Sequence, residues 1–209
     1  MKKYSLFPYF CVLLLLCSKK SVFKNIDDPR DIFEKSMEFY SKKEYNKAIE
    51  GFKKVIYSQD ILDITDDAQF YLAQCYYQIK DYEQALMEFQ FLADHFPKSE
   101  HSEESEFMMG KIKFLQTPSP ELDQEETFNA LKYMRDFIEK YPDSRFKREA
   151  EDIVKKCREK LAKKIFNNMV LYLKMGKLSS AQVYFQILKE EYSDLSLYDK
   201  AKEIIEDRK

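Results

Sequence analysis

Four times along the chain an alanine is followed four residues later by a large apolar side chain: Ala48/Phe52, Ala85/Phe89, Ala130/Met134 and Ala181/Phe185. Twelve residues beyond each alanine stands a helix-ending position: Asp60, Pro97, Pro142 and Ser193. On a helix a spacing of four stacks two side chains on one face, and the small member of the pair lets a neighbouring helix approach. Three residues before the alanines, Tyr45, Tyr82, Thr127 and Leu178 mark the turn side. The stretches Lys42-Lys43-Glu44, Lys80-Asp81 and Met175-Gly176-Lys177 just ahead are polar or contain glycine, as a short helix-to-helix turn requires. A chain built on this ruler is confined to an all-α stack of helical hairpins, because one hairpin cannot bury its apolar face alone. Three glycines in 209 residues are too few for Gly-rich phosphate loops or a turn-dense β sandwich. With 44% hydrophobic and 34% charged residues, the chain alternates apolar stripes with solvated faces, and it folds. No β-strand is expected.

The pattern resembles the tetratricopeptide repeat (TPR), a helix-turn-helix unit with small residues where its helices cross and a proline at its end. The resemblance implies a right-handed superhelix of about four repeats over residues 29–209. Repeat 2 is the cleanest copy, with Ala73 as the small residue of its first helix and Leu72 and Tyr76 as core positions. Repeat 4 keeps Tyr172 but has Met169 in the small position. Repeat 3 keeps Gly110, yet Gly110 and Ala130 are 20 residues apart instead of 12. The insertion, about Leu115 to Gln124, contains Thr117-Pro118-Ser119-Pro120, which cannot continue a helix and reads as a protruding loop. From Asp143 to Met175 neither proline nor glycine occurs, and apolar residues recur at steps of three and four, so one helix of up to about 50 Å is expected to join repeats 3 and 4. Ser196 to Glu206 reads as a single amphipathic capping helix with Leu197, Tyr198, Ala201, Ile204 and Ile205 on one face.

Residues 1–16 have the layout of a secretory signal: Lys2 and Lys3, then an apolar core from Leu6 to Leu16 broken only by Pro8. That core is shorter than the ~20 residues a membrane-spanning helix needs, which makes a permanent transmembrane anchor the weaker reading. Leu14-Leu15-Leu16-Cys17 resembles the lipobox of bacterial lipoproteins, although Leu16 stands where a small residue is usual. The resemblance implies that Cys17 becomes the acylated first residue and anchors the protein in a membrane. Residues 17–28 then read as a tether, its free part Ser18 to Asp28 reaching at most about 35 to 40 Å. Cys75 and Cys157 lie inside helical stretches; pairing in an oxidising compartment and burial as small hydrophobes are both open, with burial favoured.

The side chains offer little chemistry. His95 and His101 flank Pro97 with no metal-ligand spacing around them, so they read as solvated loop residues and no metal is expected. Asp27-Asp28, Asp66-Asp67 and Glu103-Glu104 fall at helix starts, where negative charge opposes the helix dipole. Glycines 51, 110 and 176 are too scattered to cradle a phosphate. No nucleophile, base or cofactor motif emerges, so neither an enzyme nor a cofactor is expected. With 35 basic and 37 acidic residues, nucleic acid is not announced as a partner. The 32 phenylalanines and tyrosines stand out. Phe39, Phe52, Phe89 and Phe185 fall on the repeat's packing positions. Phe33, Met37 and Tyr40 in repeat 1, and Phe70, Gln74 and Tyr77 in repeat 2, fall where first helices line the inner curve of a TPR superhelix, and two readings are open for them: a peptide-binding groove or further core.

Signal, lipobox-like cysteine, tether and degenerate repeats together resemble the BamD family of outer-membrane β-barrel assembly lipoproteins. The more specific parts are the insertion ending Asp123-Gln124-Glu125-Glu126-Thr127, the Tyr141-Pro142-Asp143-Ser144 turn, and Arg158-Glu159-Lys160-Leu161-Ala162 in the long helix. The resemblance implies an outer-membrane anchor facing the periplasm, docking to the Omp85-type barrel subunit through repeats 3 and 4, and reception of unfolded outer-membrane proteins by repeats 1 and 2 through a C-terminal targeting segment. The first repeat departs from the family in ending at Tyr57-Ser58-Gln59-Asp60 without an aromatic-Pro turn. Another envelope TPR scaffold, such as the coordinator of the Tol-Pal system, is the rival, but its repeats keep a more regular period than the 37, 45 and 51 residues separating these alanines.

Overall fold

The computed structural model describes residues 22–58 and 63–207. The signal segment, Cys17 and the terminator Asp60 lie outside the described residues. Within them all regular structure is helical: α1 (Pro29–Ser41), α2 (Tyr45–Ile56), α3 (Thr65–Gln78), α4 (Tyr82–His95), α5 (Ser102–Leu115), α6 (Glu125–Lys140), α7 (Lys147–Lys174), α8 (Leu178–Glu191) and α9 (Ser196–Glu206). Each helix packs chiefly on its predecessor and successor, giving four hairpins and a capping helix in a TPR-like stack.

The ruler holds in three dimensions. Ala48, Ala85, Ala130 and Ala181 are fully buried, as are Phe52, Phe89 and Met134, while Phe185 is half-buried and stacks on Tyr198 of the cap. Ala85, Ala130 and Ala181 lie ten residues before the last helical residue, whereas Ala48 lies eight before the end of α2. Three of the four hairpin turns share one geometry. Lys43, Lys80 and Gly176 adopt positive φ (60°, 63° and 72°). In each the next amide donates back to a carbonyl five residues earlier, Glu44 to Phe39, Asp81 to Tyr76 and Lys177 to Tyr172. This is the Schellman arrangement, which satisfies carbonyls at the end of a helix.

Helices cross closely where a side chain is missing. A Cβ on Gly51 would sit 1.8 Å from Ser36 Oγ and 2.5 Å from Phe23 Cζ, so α1 and α2 meet at this glycine. Phe23 is 1% exposed and meets Phe39 edge-on at 5.8 Å. The described part of the expected tether is therefore docked on repeat 1 from Phe23 onward, because an aromatic ring there covers apolar surface that the hairpin leaves open.

Two further expectations are corrected. The long helix begins at Lys147, not Asp143: the Ser144 hydroxyl accepts from the Phe146 amide and closes a turn ahead of it, leaving 28 residues and about 42 Å. The repeat-3 insertion does not protrude freely. Buried Gln124 donates to the carbonyls of Ser119, Leu122 and Asp123 and accepts from the Thr127 hydroxyl, while Lys160 and Lys164 of α7 hold Thr117 and the Glu121 carbonyl. Cys75 and Cys157 are free and buried, and burial pushes their thiols up to about 12 and about 11. Among the described residues no helix is long and apolar enough to cross a membrane.

Candidate functional site

The terminators do more than stop helices. In Phe96-Pro97-Lys98-Ser99-Glu100-His101 the Ser99 amide donates to the Phe96 carbonyl and the His101 amide to the Ser99 hydroxyl. Tyr141-Pro142-Asp143-Ser144-Arg145-Phe146 repeats both bonds through Ser144 and Phe146. Both turns thereby deliver a ring onto the first helix of their own hairpin. His101 stacks on Phe70 of α3 at 4.1 Å and 6°, and Phe146 stacks on Phe107 of α5 at 4.7 Å and 9°. His101 is thus the repeat counterpart of Phe146, with an imidazole in the slot of a phenyl.

Polar groups complete the ties. Asp67 Oδ1 lies 2.8 Å from His101 Nε2. The Ser144 hydroxyl donates to Glu103, Arg145 pairs with Glu104, and Tyr141 and Lys140 both donate to Glu106. By sequence Glu103 and Glu104 read as helix-start charges and His101 as solvated. The His101 side chain is only 15% exposed, because stacking and the Asp67 contact draw it in. His95, by contrast, is exposed and rests on Phe91. The readable signal is the spacing: in both proline terminators an aromatic ring or imidazole follows the serine by two residues.

Between these turns and the first helices opens a groove of about 660 Å³. It is lined by Tyr40 of α1, by Phe70, Tyr71 and Gln74 of α3, by Glu100, His101, Glu103 and Glu104, and by residues 143–146. Three of the six expected groove residues, Tyr40, Phe70 and Gln74, therefore meet in one cleft. Phe33, Met37 and Tyr77 do not line it. Phe33 turns into the hairpin against Phe52 (5.8 Å) and Tyr71 (6.4 Å), Met37 is half-buried on the core, and Tyr77 lies beside Tyr82. Tyr71, not singled out in the sequence, is central, touching Tyr40 at 5.3 Å and stacking on Phe52.

The groove is acidic. Burial first, then Cys75, Tyr45, Tyr71 and Glu104, push the Tyr40 hydroxyl up to about 12. Burial followed by the Asp67, Glu104 and Glu100 carboxylates raises that of Tyr71. Asp67, Glu100 and His101 bring three donor atoms within 4.8 Å of one another, so ligand types do surround His101, and these are the residues that could hold a divalent cation. What the cleft offers chemically is a floor of aromatic rings set edge to face, a carboxylate rim and hydrogen-bonding side chains, which is equipment for holding a chain segment.

A family of outer membrane lipoproteins, YfiO, matches residues 26–208. The chain belongs to the YfiO family. This bears out the resemblance to BamD-like TPR lipoproteins that the repeats and the turn motifs carried. No curated protein matches the chain. Similar solved structures include a thermophilic TPR protein of Thermus thermophilus, with 17% identity, 84% of this chain and 98% of that one covered and a TM-score of 0.43. They also include the nearly identical TPR-like repeats of a Podosopora anserina kinesin light chain, with 9% identity, 86% and 97% covered and a TM-score of 0.47. The YfiO match begins at Ile26, three residues after Phe23, and takes in all nine helices of the described residues.

Proposed function

We propose that this YfiO-family chain is a non-catalytic docking scaffold of outer-membrane β-barrel assembly, anchored by lipid on Cys17 at the periplasmic face of the outer membrane. Its repeats 1 and 2 receive unfolded outer-membrane proteins, and repeats 3 and 4 dock the Omp85-type barrel subunit. The reading is carried by the family match over residues 26–208, which favours this scaffold over a Tol-Pal coordinator. The groove lined by the first helices of successive hairpins supports it, since that is where an extended segment meets several repeats at once. With Phe23 docked, five residues separate it from Cys17, a reach of at most about 22 Å, so repeat 1 would sit close to the membrane surface.

Detergent extraction of envelopes followed by affinity capture of the full-length protein tests the assignment. Recovery of an Omp85-type barrel is the expected result; recovery of Tol components or peptidoglycan enzymes in its place overturns it. Cys17→Ala is expected to release the protein into the soluble fraction, and full retention in membranes would contradict the lipid anchor.

A further inference from the structure

The charges around the groove are unequal in a way that bears on what it can hold. Four carboxylates line it, those of Glu100, Glu103, Glu104 and Asp143, against one guanidinium, Arg145. Arg145 is already committed, paired with Glu104 and lying over the Phe146 ring at 4.6 Å. The neutral Ser144 hydroxyl donates to Glu103 and leaves its charge uncompensated. Among the described residues no lysine or arginine forms an ion pair with Glu100, Glu103 or Asp143; Glu100 has only the His101 imidazole, 3.8 Å away and already on Asp67. Asp67 adds a further carboxylate behind His101. Each turn carries one acid and one base, Lys98 and Glu100 in one and Asp143 and Arg145 in the other, but of these Glu100, Asp143 and Arg145 line the groove and Lys98 does not. The floor between these charges is aromatic, with Tyr40, Tyr71 and Phe146 half-buried and Phe70 beneath His101.

We infer that this groove selects a cationic, aromatic-containing extended segment, one in which lysine or arginine lies next to a phenylalanine or tyrosine, over one carrying acidic side chains. The inference rests on the proposed reception of unfolded outer-membrane proteins and specifies which of their segments dock. Ammonium or guanidinium groups pair with Glu100, Glu103 and Asp143 and lie over the tyrosine faces, while the ligand's ring stacks on the aromatic floor. Uncompensated acids also steer such a segment in from solution and repel like charge.

The test is fluorescence anisotropy with the full-length protein in detergent, in buffer containing a chelator so that no divalent ion sits on Asp67, Glu100 and His101. Three labelled ten-residue peptides share the same two aromatic residues and carry either three lysines, three glutamates or neither. The lysine peptide is expected to bind about tenfold more tightly than the glutamate peptide at low salt, as a few exposed ion pairs allow. Its advantage should shrink as salt is raised. A Glu100→Gln/Asp143→Asn double variant, altered at two exposed positions, is expected to lose most of the preference while its circular dichroism and melting stay unchanged. Equal binding of all three peptides, or preference for the glutamate peptide, overturns the charge selectivity and leaves peptide reception standing. Binding of none overturns both.

Discussion

Lys43 and Lys80 place a side chain in the left-handed turn position that Gly176 fills without one. Left-handed backbone costs a residue with a Cβ about 1 kcal/mol, and that cost is removed by glycine. Lys43→Gly and Lys80→Gly are each expected to stabilise the protein by about 0.5 to 1 kcal/mol, while Gly176→Ala, whose Cβ would meet nothing within 4 Å, destabilises by a similar amount through backbone conformation alone. Urea denaturation reads all three. A second expectation concerns pH. The Tyr40 phenol and Cys75 thiol are neutral when protonated, and both are pushed up to about 12 in the folded protein from ordinary values of 10.0 and 9.0. The folded chain keeps these protons where the unfolded chain releases them, so their contribution is complete below pH 9 and is lost as pH rises from there to about 12. Denaturation midpoints should fall across that window, and Tyr40→Phe should make the part above pH 10 shallower, the phenols of Tyr133, Tyr71 and Tyr192, likewise raised by burial, keeping the rest; an unchanged fall in the variant would count against the assignment. The turn lysines could be seen in the sequence as turn residues, but their positive φ could not, since nothing about a lysine signals it.

The hairpins, the capping helix and the fused α7 follow from local spacing, because an α-helix displays its packing face in its own sequence. Pieces held by distant partners do not. Phe23 reads as part of a charged tether until α1 and α2 are placed around it, and the repeat-3 insertion reads as a protrusion until Lys160 and Lys164 arrive from more than 40 residues away. Phe23→Ala is therefore expected to cost about 3 kcal/mol, as for a core phenylalanine, whereas Met87→Ala, at a side chain 59% exposed, should stay within about 0.5 kcal/mol. Gln124 gathers three carbonyls of the insertion, and Gln124→Ala leaves them without that donor. Limited proteolysis should then cut within residues 116–123 faster than in the parent protein, with the helices intact; unchanged cleavage would show that the lysines alone hold the segment.

Stacked hairpins put their first helices side by side, and the groove exists only because α1, α3, α5 and the turn before α7 are neighbours. No single repeat contains it. That is why half of the expected groove residues pack against the core instead: position in a repeat tells which helix faces the inner surface, while Tyr71 meets Tyr40 through packing between repeats, and His101 and Phe146 are carried in by the turns that close their own hairpins. The direct measurement is site-specific photo-crosslinking in intact envelopes, with a photoreactive residue in place of Tyr71 in the groove or of exposed Met87 on α4. Unfolded outer-membrane proteins should be captured from position 71 and not from 87. Capture from 87 alone, or of Tol components from 71, would contradict the groove as the receiving surface.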